Sequence, residues 1–225
     1  MIPRELIGTA AIPGAPGELR CYRHDGAFAF WLEGKELMSS RATGSEEQLA
    51  ELALAALPPA AMTSARVLVG GLGMGFTLAR ALALVGERAE VEVAELVPEV
   101  VTWNRELLGH CAGHPLQDRR TRLFQGDVAA RIAAASSHFH AILLDVDNGP
   151  EALVRRANDA LYHANGLRAA RRALVRHGVL AVWSSRGDDA FARRLARNGF
   201  RAAEHRVRAR RTKGPVRTLW VATPA

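Results

Sequence analysis

From residue 65 to residue 184, short apolar runs alternate with longer stretches in which apolar residues recur at helical spacing. The runs predict strands over 66–70, 90–95, 121–124, 140–145 and 179–184. The intervening pattern predicts helices over 76–85, 98–108, 128–135 and 158–176. Val67-Leu68-Val69 and Ala141-Ile142-Leu143-Leu144 are almost wholly apolar, as central strands covered on both faces must be. Strict alternation of this kind implies a parallel sheet with helices on both sides.

The two ends of the chain depart from that rhythm. Residues 18–23 and 27–32 have strand character, and His24-Asp25-Gly26 between them reads as a hairpin turn. Glu33-Gly34-Lys35 makes a second turn before Glu36-Leu37-Met38. Ser45-Glu46-Glu47 is expected to cap a helix running to about Leu57, stopped by Pro58-Pro59. After a helix over 188–197, residues 200–209 and 216–223 are strand-like, with Thr212-Lys213-Gly214-Pro215 as the turn. The expected fold is therefore α/β: a Rossmann-like, doubly wound, seven-stranded sheet with a C-terminal antiparallel hairpin, preceded by a small N-terminal β unit. The division is expected at residues 1–44 and 45–225.

Candidate chemistry sits where the strands end. Val69-Gly70-Gly71-Leu72-Gly73-Met74-Gly75 follows the first strand of the alternating region and opens a helix. Glycines there let backbone N–H groups approach a ligand, which makes Gly71, Gly73 and Gly75 candidate nucleotide contacts. Glu95 closes the second strand at the spacing where an acid accepts from ribose hydroxyls. Asp127 follows the third strand. It is placed either to accept from an adenine amino group, with Val128 against the ring, or to cap the next helix. Asp145 and Asp147 follow the fourth strand, in the crevice beyond the carboxyl ends, where a carboxylate can orient an amine and take its proton.

Together these residues resemble the spermidine synthase family of aminopropyltransferases, over about residues 28–185. That family's glycine motif resembles 69–75. Its ribose acid falls on Glu95, its Gly-Asp pair on Gly126-Asp127, and its catalytic aspartate on Asp145. The resemblance implies decarboxylated S-adenosylmethionine as donor, a polyamine such as putrescine as acceptor, and a homodimer. A methyltransferase using intact S-adenosylmethionine, or a non-catalytic nucleotide-binding relative, uses the same loop. The acceptor half departs from the family. Asp-Glu-x-x-Tyr-His/Gln-Glu is Ser45-Glu46-Glu47-Gln48-Leu49-Ala50-Glu51 here, and Asp-Ser-Ser-Asp-Pro is Asp145-Val146-Asp147-Asn148-Gly149.

Composition narrows the setting. The 225 residues are 48% hydrophobic, with no apolar run long enough to span a bilayer and no basic-then-apolar leader. A cytoplasmic protein is expected. Two cysteines, Cys21 and Cys111, make no disulfide framework. His110 and His114 are four apart, but Gly109, Gly113 and Pro115 make a poor helix there, so no metal is expected. The net charge is +7. Arg206, Arg208 and Arg210 share one strand face, which with Lys213 and Arg217 forms a basic patch. It is either a solvated sheet face or a contact for nucleic acid or an acidic partner. A cationic amine would instead need the acids Asp145, Asp147, Glu46 and Glu47.

Overall fold

A computed structural model describes residues 3–146 and 160–225. The predicted site Asp147, and the first part of the helix expected over 158–176, lie outside the described residues.

The chain opens with four antiparallel strands, β1 (Glu5–Ala11), β2 (Glu18–His24), β3 (Ala27–Leu32) and β4 (Lys35–Ser39), paired in that order. The sequence pattern misses β1. Gly8 interrupts it, and its pairing with β2 shifts register between Leu6 and Gly8, so no clean alternation survives. Helix α1 (Gly44–Ala55) follows; the residue at its N-cap position is Thr43 and not Ser45, and its side chain makes no capping hydrogen bond. The Thr43 hydroxyl donates to Glu47 Oε1, whereas Ser45 donates to Glu46 Oε2 at 2.6 Å.

The main sheet contains β5 (Arg66–Gly70), β6 (Glu90–Glu95), β7 (Thr121–Gln125), β8 (Phe139–Leu144), β9 (Leu174–Ser184), β10 (Phe200–Arg210) and β11 (Lys213–Pro224). Its order is β10-β11-β9-β8-β5-β6-β7. The strands from β9 to β7 are parallel, and β11 runs antiparallel to both β9 and β10. The seven strands and the terminal hairpin are those the sequence predicts. The hairpin turn is tighter, because Arg210 pairs with Lys213 and leaves Arg211 and Thr212 as the loop. Arg211 accepts positive φ there and its guanidinium binds both Glu47 and Glu51 of α1. Glu47 is thereby turned away from the crevice and held by the hairpin.

Helices α2 (Phe76–Leu84), α3 (Pro98–Trp103), α4 (Val128–Ala133), α5 (Ala164–Ala173) and α6 (Asp189–Arg197) complete the fold. The predicted helix over 98–108 changes character at Asn104, where a wider π turn (Asn104–Leu108) takes over. The Asn104 side-chain amide donates to Val100 O and to Gly73 O, which ties this turn to the glycine loop. The helix predicted up to residue 176 ends at Ala173, and β9 starts at once.

Alternate residues of the central strands feed two apolar layers. Val67, Val69, Ala141 and Leu143 face α1, α2, α3 and the inner side of the small sheet, where Cys21, Phe28 and Phe30 are buried. Leu68, Ile142 and Leu144 face α4, α5 and α6. The small sheet thus shares a core with one face of the main sheet, above its carboxyl edge.

Candidate functional site

A cleft of about 180 Å³, open to solvent, lies at that edge between the glycine loop and the small sheet. Its lining includes Gly71, Gly73, Glu95, Gly126, Asp127, Val128 and Asp145, so residues up to 74 positions apart in sequence converge.

The loop conformation depends on its glycines. Gly71 has φ +89°, and a β carbon there would lie 2.5 Å from Asp145 O. The same absence lets Asp145 N donate to Gly70 O and Gly71 N to Ala94 O, which clamps the loop between β8 and β6. Gly73 faces Met38 of the small sheet. Gly75 lies elsewhere: it caps α2 with φ +88° and abuts Pro115, and it does not line the cleft.

Glu95 is 8% exposed, and each of its oxygens accepts one backbone amide: Leu72 N at 2.9 Å and Val97 N at 2.8 Å. Burial pushes its pKa up, while these amides pull it down. The carboxylate is therefore fixed in orientation beside the loop, with lone pairs left for hydroxyl donors. Asp127 caps α4 through Oδ1, which accepts from Ala129 N at 2.8 Å, and also lines the cleft. Val128 lies over the missing side chain of Gly70, where a β carbon would sit 3.0 Å from Val128 Cγ2.

Across the cleft, Asp145 Oδ2 accepts from the Thr77 hydroxyl at 2.6 Å. Thr77 Oγ1 also lies 3.3 Å from the backbone oxygen of Glu46. Burial raises Asp145 to about 6, against the Thr77 bond. Burial, and then the charge of Asp145, raises Glu46 to about 7. Two carboxyl groups that resist ionising together form a proton-holding pair near neutrality.

Several lining residues escape sequence reasoning. Ile12, Leu19, Phe30, Leu37 and Met38 come from the small sheet and its flanks, and Trp183 from the end of β9. Their only sequence signal is alternation, which marks them as inward-facing without saying against what. Leu49, at the position of the family's acceptor-site tyrosine, is fully buried in the core and takes no part. Among the described residues no group of three or more His, Cys, Asp or Glu is arranged to hold a metal, and no helix is long and apolar enough to cross a membrane.

A glycine loop after the first parallel strand, an acid ending the second, and an antiparallel terminal strand inserted beside β9 define a Rossmann-like, doubly wound fold with a terminal antiparallel hairpin. Within it, the chain is similar to spermidine synthases of known structure. One, from Thermotoga maritima, has a TM-score of 0.76 at 18% identity, over 98% of this chain and 73% of that one. Another, in complex with the transition-state analogue AdoDATO, has a TM-score of 0.74 at 17% identity, over 98% and 72%. No family model and no curated protein matches the sequence.

Proposed function

We propose that the protein transfers an aminopropyl group from decarboxylated S-adenosylmethionine to an amine. The observation that carries this reading is the charge of the cleft. Among the described residues its lining holds four acids, Glu46, Glu95, Asp127 and Asp145, and no lysine or arginine. A donor carrying a sulfonium and an ammonium suits that field. Intact S-adenosylmethionine adds a carboxylate for which the lining holds no basic side chain.

In this reading Glu95 takes the ribose hydroxyls, and Asp127 and Val128 bracket the adenine. Apolar side chains of the small sheet close over the propyl chain and exclude water. Asp145, held by Thr77, and Glu46 receive the proton of the attacking ammonium, since only the neutral amine has a lone pair. The amine nitrogen then attacks the propyl carbon bound to sulfur. A C–N bond forms, the C–S bond breaks with its electron pair going to sulfur, and neutral methylthioadenosine leaves. The sulfonium is already a good leaving group, so the protein contributes mainly positioning and proton removal.

The test is to incubate purified protein with the decarboxylated donor and a panel of amines. Methylthioadenosine is the expected product. Formation of S-adenosylhomocysteine from intact donor instead would identify a methyltransferase.

A further inference from the structure

Arg217 borders the acceptor end of the cleft without a hydrogen bond or ion pair among the described residues. Arg217 lies on β11, whose register sets Leu219 opposite Trp183 and Thr218 opposite Ser184. Arg217 is therefore the diagonal neighbour of Trp183 on the same sheet face, at the carboxyl end of β9 where the cleft opens. Its guanidinium carbon stands 5.4 Å from the centroid of the Trp183 ring, and it lies within electrostatic reach of Glu46. It is half-buried and makes no hydrogen bond or ion pair among the described residues, unlike Arg211 on the same hairpin, which holds two glutamates. Trp183 is 7% exposed, and its indole N–H is buried with no acceptor. Among the described residues two adjacent donors thus lack an acceptor beside a cleft that is otherwise acidic.

A partly desolvated guanidinium with no anion at ion-pair distance among the described residues, and a buried N–H without an acceptor there, are both unfavourable unless a ligand completes them. A diamine cannot do so, because its second ammonium would be set against Arg217. We propose that the acceptor is an amine whose far end is anionic, an ω-amino acid or an ω-aminoalkyl phosphate. Its anionic end is taken by Arg217 and the Trp183 indole, while its nitrogen lies at Asp145 and Glu46. This rests on the aminopropyl-transfer reading and names its substrate class. Burial lowers the Arg217 pKa, and the charge of Glu46 offsets this only in part.

The experiment compares ω-amino carboxylates of graded length, the matching aminoalkyl phosphates, and diamines. Wild type, Arg217→Gln, Arg217→Glu and Trp183→Phe are each assayed for methylthioadenosine release. Acceptor binding to the protein–methylthioadenosine complex is measured by calorimetry alongside. The wild type is expected to favour an anionic-tailed amine over the diamine of equal length. Arg217→Gln should weaken that acceptor by roughly 10- to 100-fold, in KM more than kcat, as loss of a charge-assisted contact does. Arg217→Glu should invert the preference, and all variants should keep the thermal shift given by the donor. A wild type that binds diamines better, with Arg217→Gln leaving the ranking unchanged, overturns the proposal. Absence of turnover with every acceptor would count against aminopropyl transfer itself, whereas the calorimetric ranking still decides the role of Arg217.

Discussion

The Thr77 hydroxyl donates to Asp145 Oδ2 at 2.6 Å and so joins the helix that follows the glycine loop to the end of β8. This bond favours the ionised carboxylate, against the burial that raises it to about 6. Thr77→Val removes the donor and keeps the shape. The acid limb of the kcat/KM profile for methylthioadenosine release should then move to higher pH, while Thr77→Ser should restore the wild-type profile. A limb unmoved by Thr77→Val would show that Asp145 is not the group titrating.

The raised acids make a second prediction, on stability. A carboxyl group whose folded pKa lies above its unfolded value keeps its proton in the folded state over the interval between them. There the folded state binds more protons, so stability falls as pH rises. For Asp145 the interval runs from 3.8 to about 6, and for Glu46 from 4.5 to about 7. Their contribution to Tm should decline from about pH 4 to 7, and Asp145→Asn or Glu46→Gln should flatten that decline. Parallel Tm–pH curves for wild type and both variants would contradict it.

Gly71→Ala is a test of the loop. A β carbon there meets Asp145 O at 2.5 Å, and the backbone sits at φ +89°. Both costs fall on the clamp between β5 and β8, so a loss of about 1–3 kcal/mol in chemical denaturation is expected. Loss of the adenosyl-ligand thermal shift should accompany it. Gly75→Ala carries a similar positive-φ strain but lies away from the cleft, and should reduce stability while ligand binding survives in the folded fraction.

Glu95→Gln should separate fold from ligand. The amide presents an N–H where Leu72 N or Val97 N now donates, so one backbone donor loses its acceptor. Affinity for methylthioadenosine should fall by about 10-fold or more, as loss of charge-assisted bonds to ribose implies. Calorimetry with 2′-deoxy and 3′-deoxy analogues should show the wild type discriminating and the variant not.

Much of the proposed nucleotide half is legible in the sequence because its signals are local. Val67-Leu68-Val69 and the glycines that follow specify a buried strand and its turn within a few residues, and Glu95 and Asp127 end strands recognised the same way. The acceptor half depends on contacts that sequence spacing does not encode. Glu46 reads as one acid in a charged helix start, and only the packing of α1 makes it a buried partner of Asp145 while Arg211 draws Glu47 away. Arg217 reads as one of several arginines on a basic hairpin. Its place beside Trp183 follows from the pairing of β11 with β9, a long-range register. β1 is hidden for the opposite reason, since Gly8 and the bulge next to it erase the alternation that marks its neighbours.

The most direct test of the account is a product assay with two donors. Purified protein is given equal concentrations of decarboxylated and intact S-adenosylmethionine, with the acceptor panel described above, and both nucleoside products are quantified. The acidic cleft predicts methylthioadenosine as the dominant product, its formation abolished or nearly so by Asp145→Asn. Exclusive formation of S-adenosylhomocysteine, or methylthioadenosine release indifferent to Asp145→Asn, would contradict it.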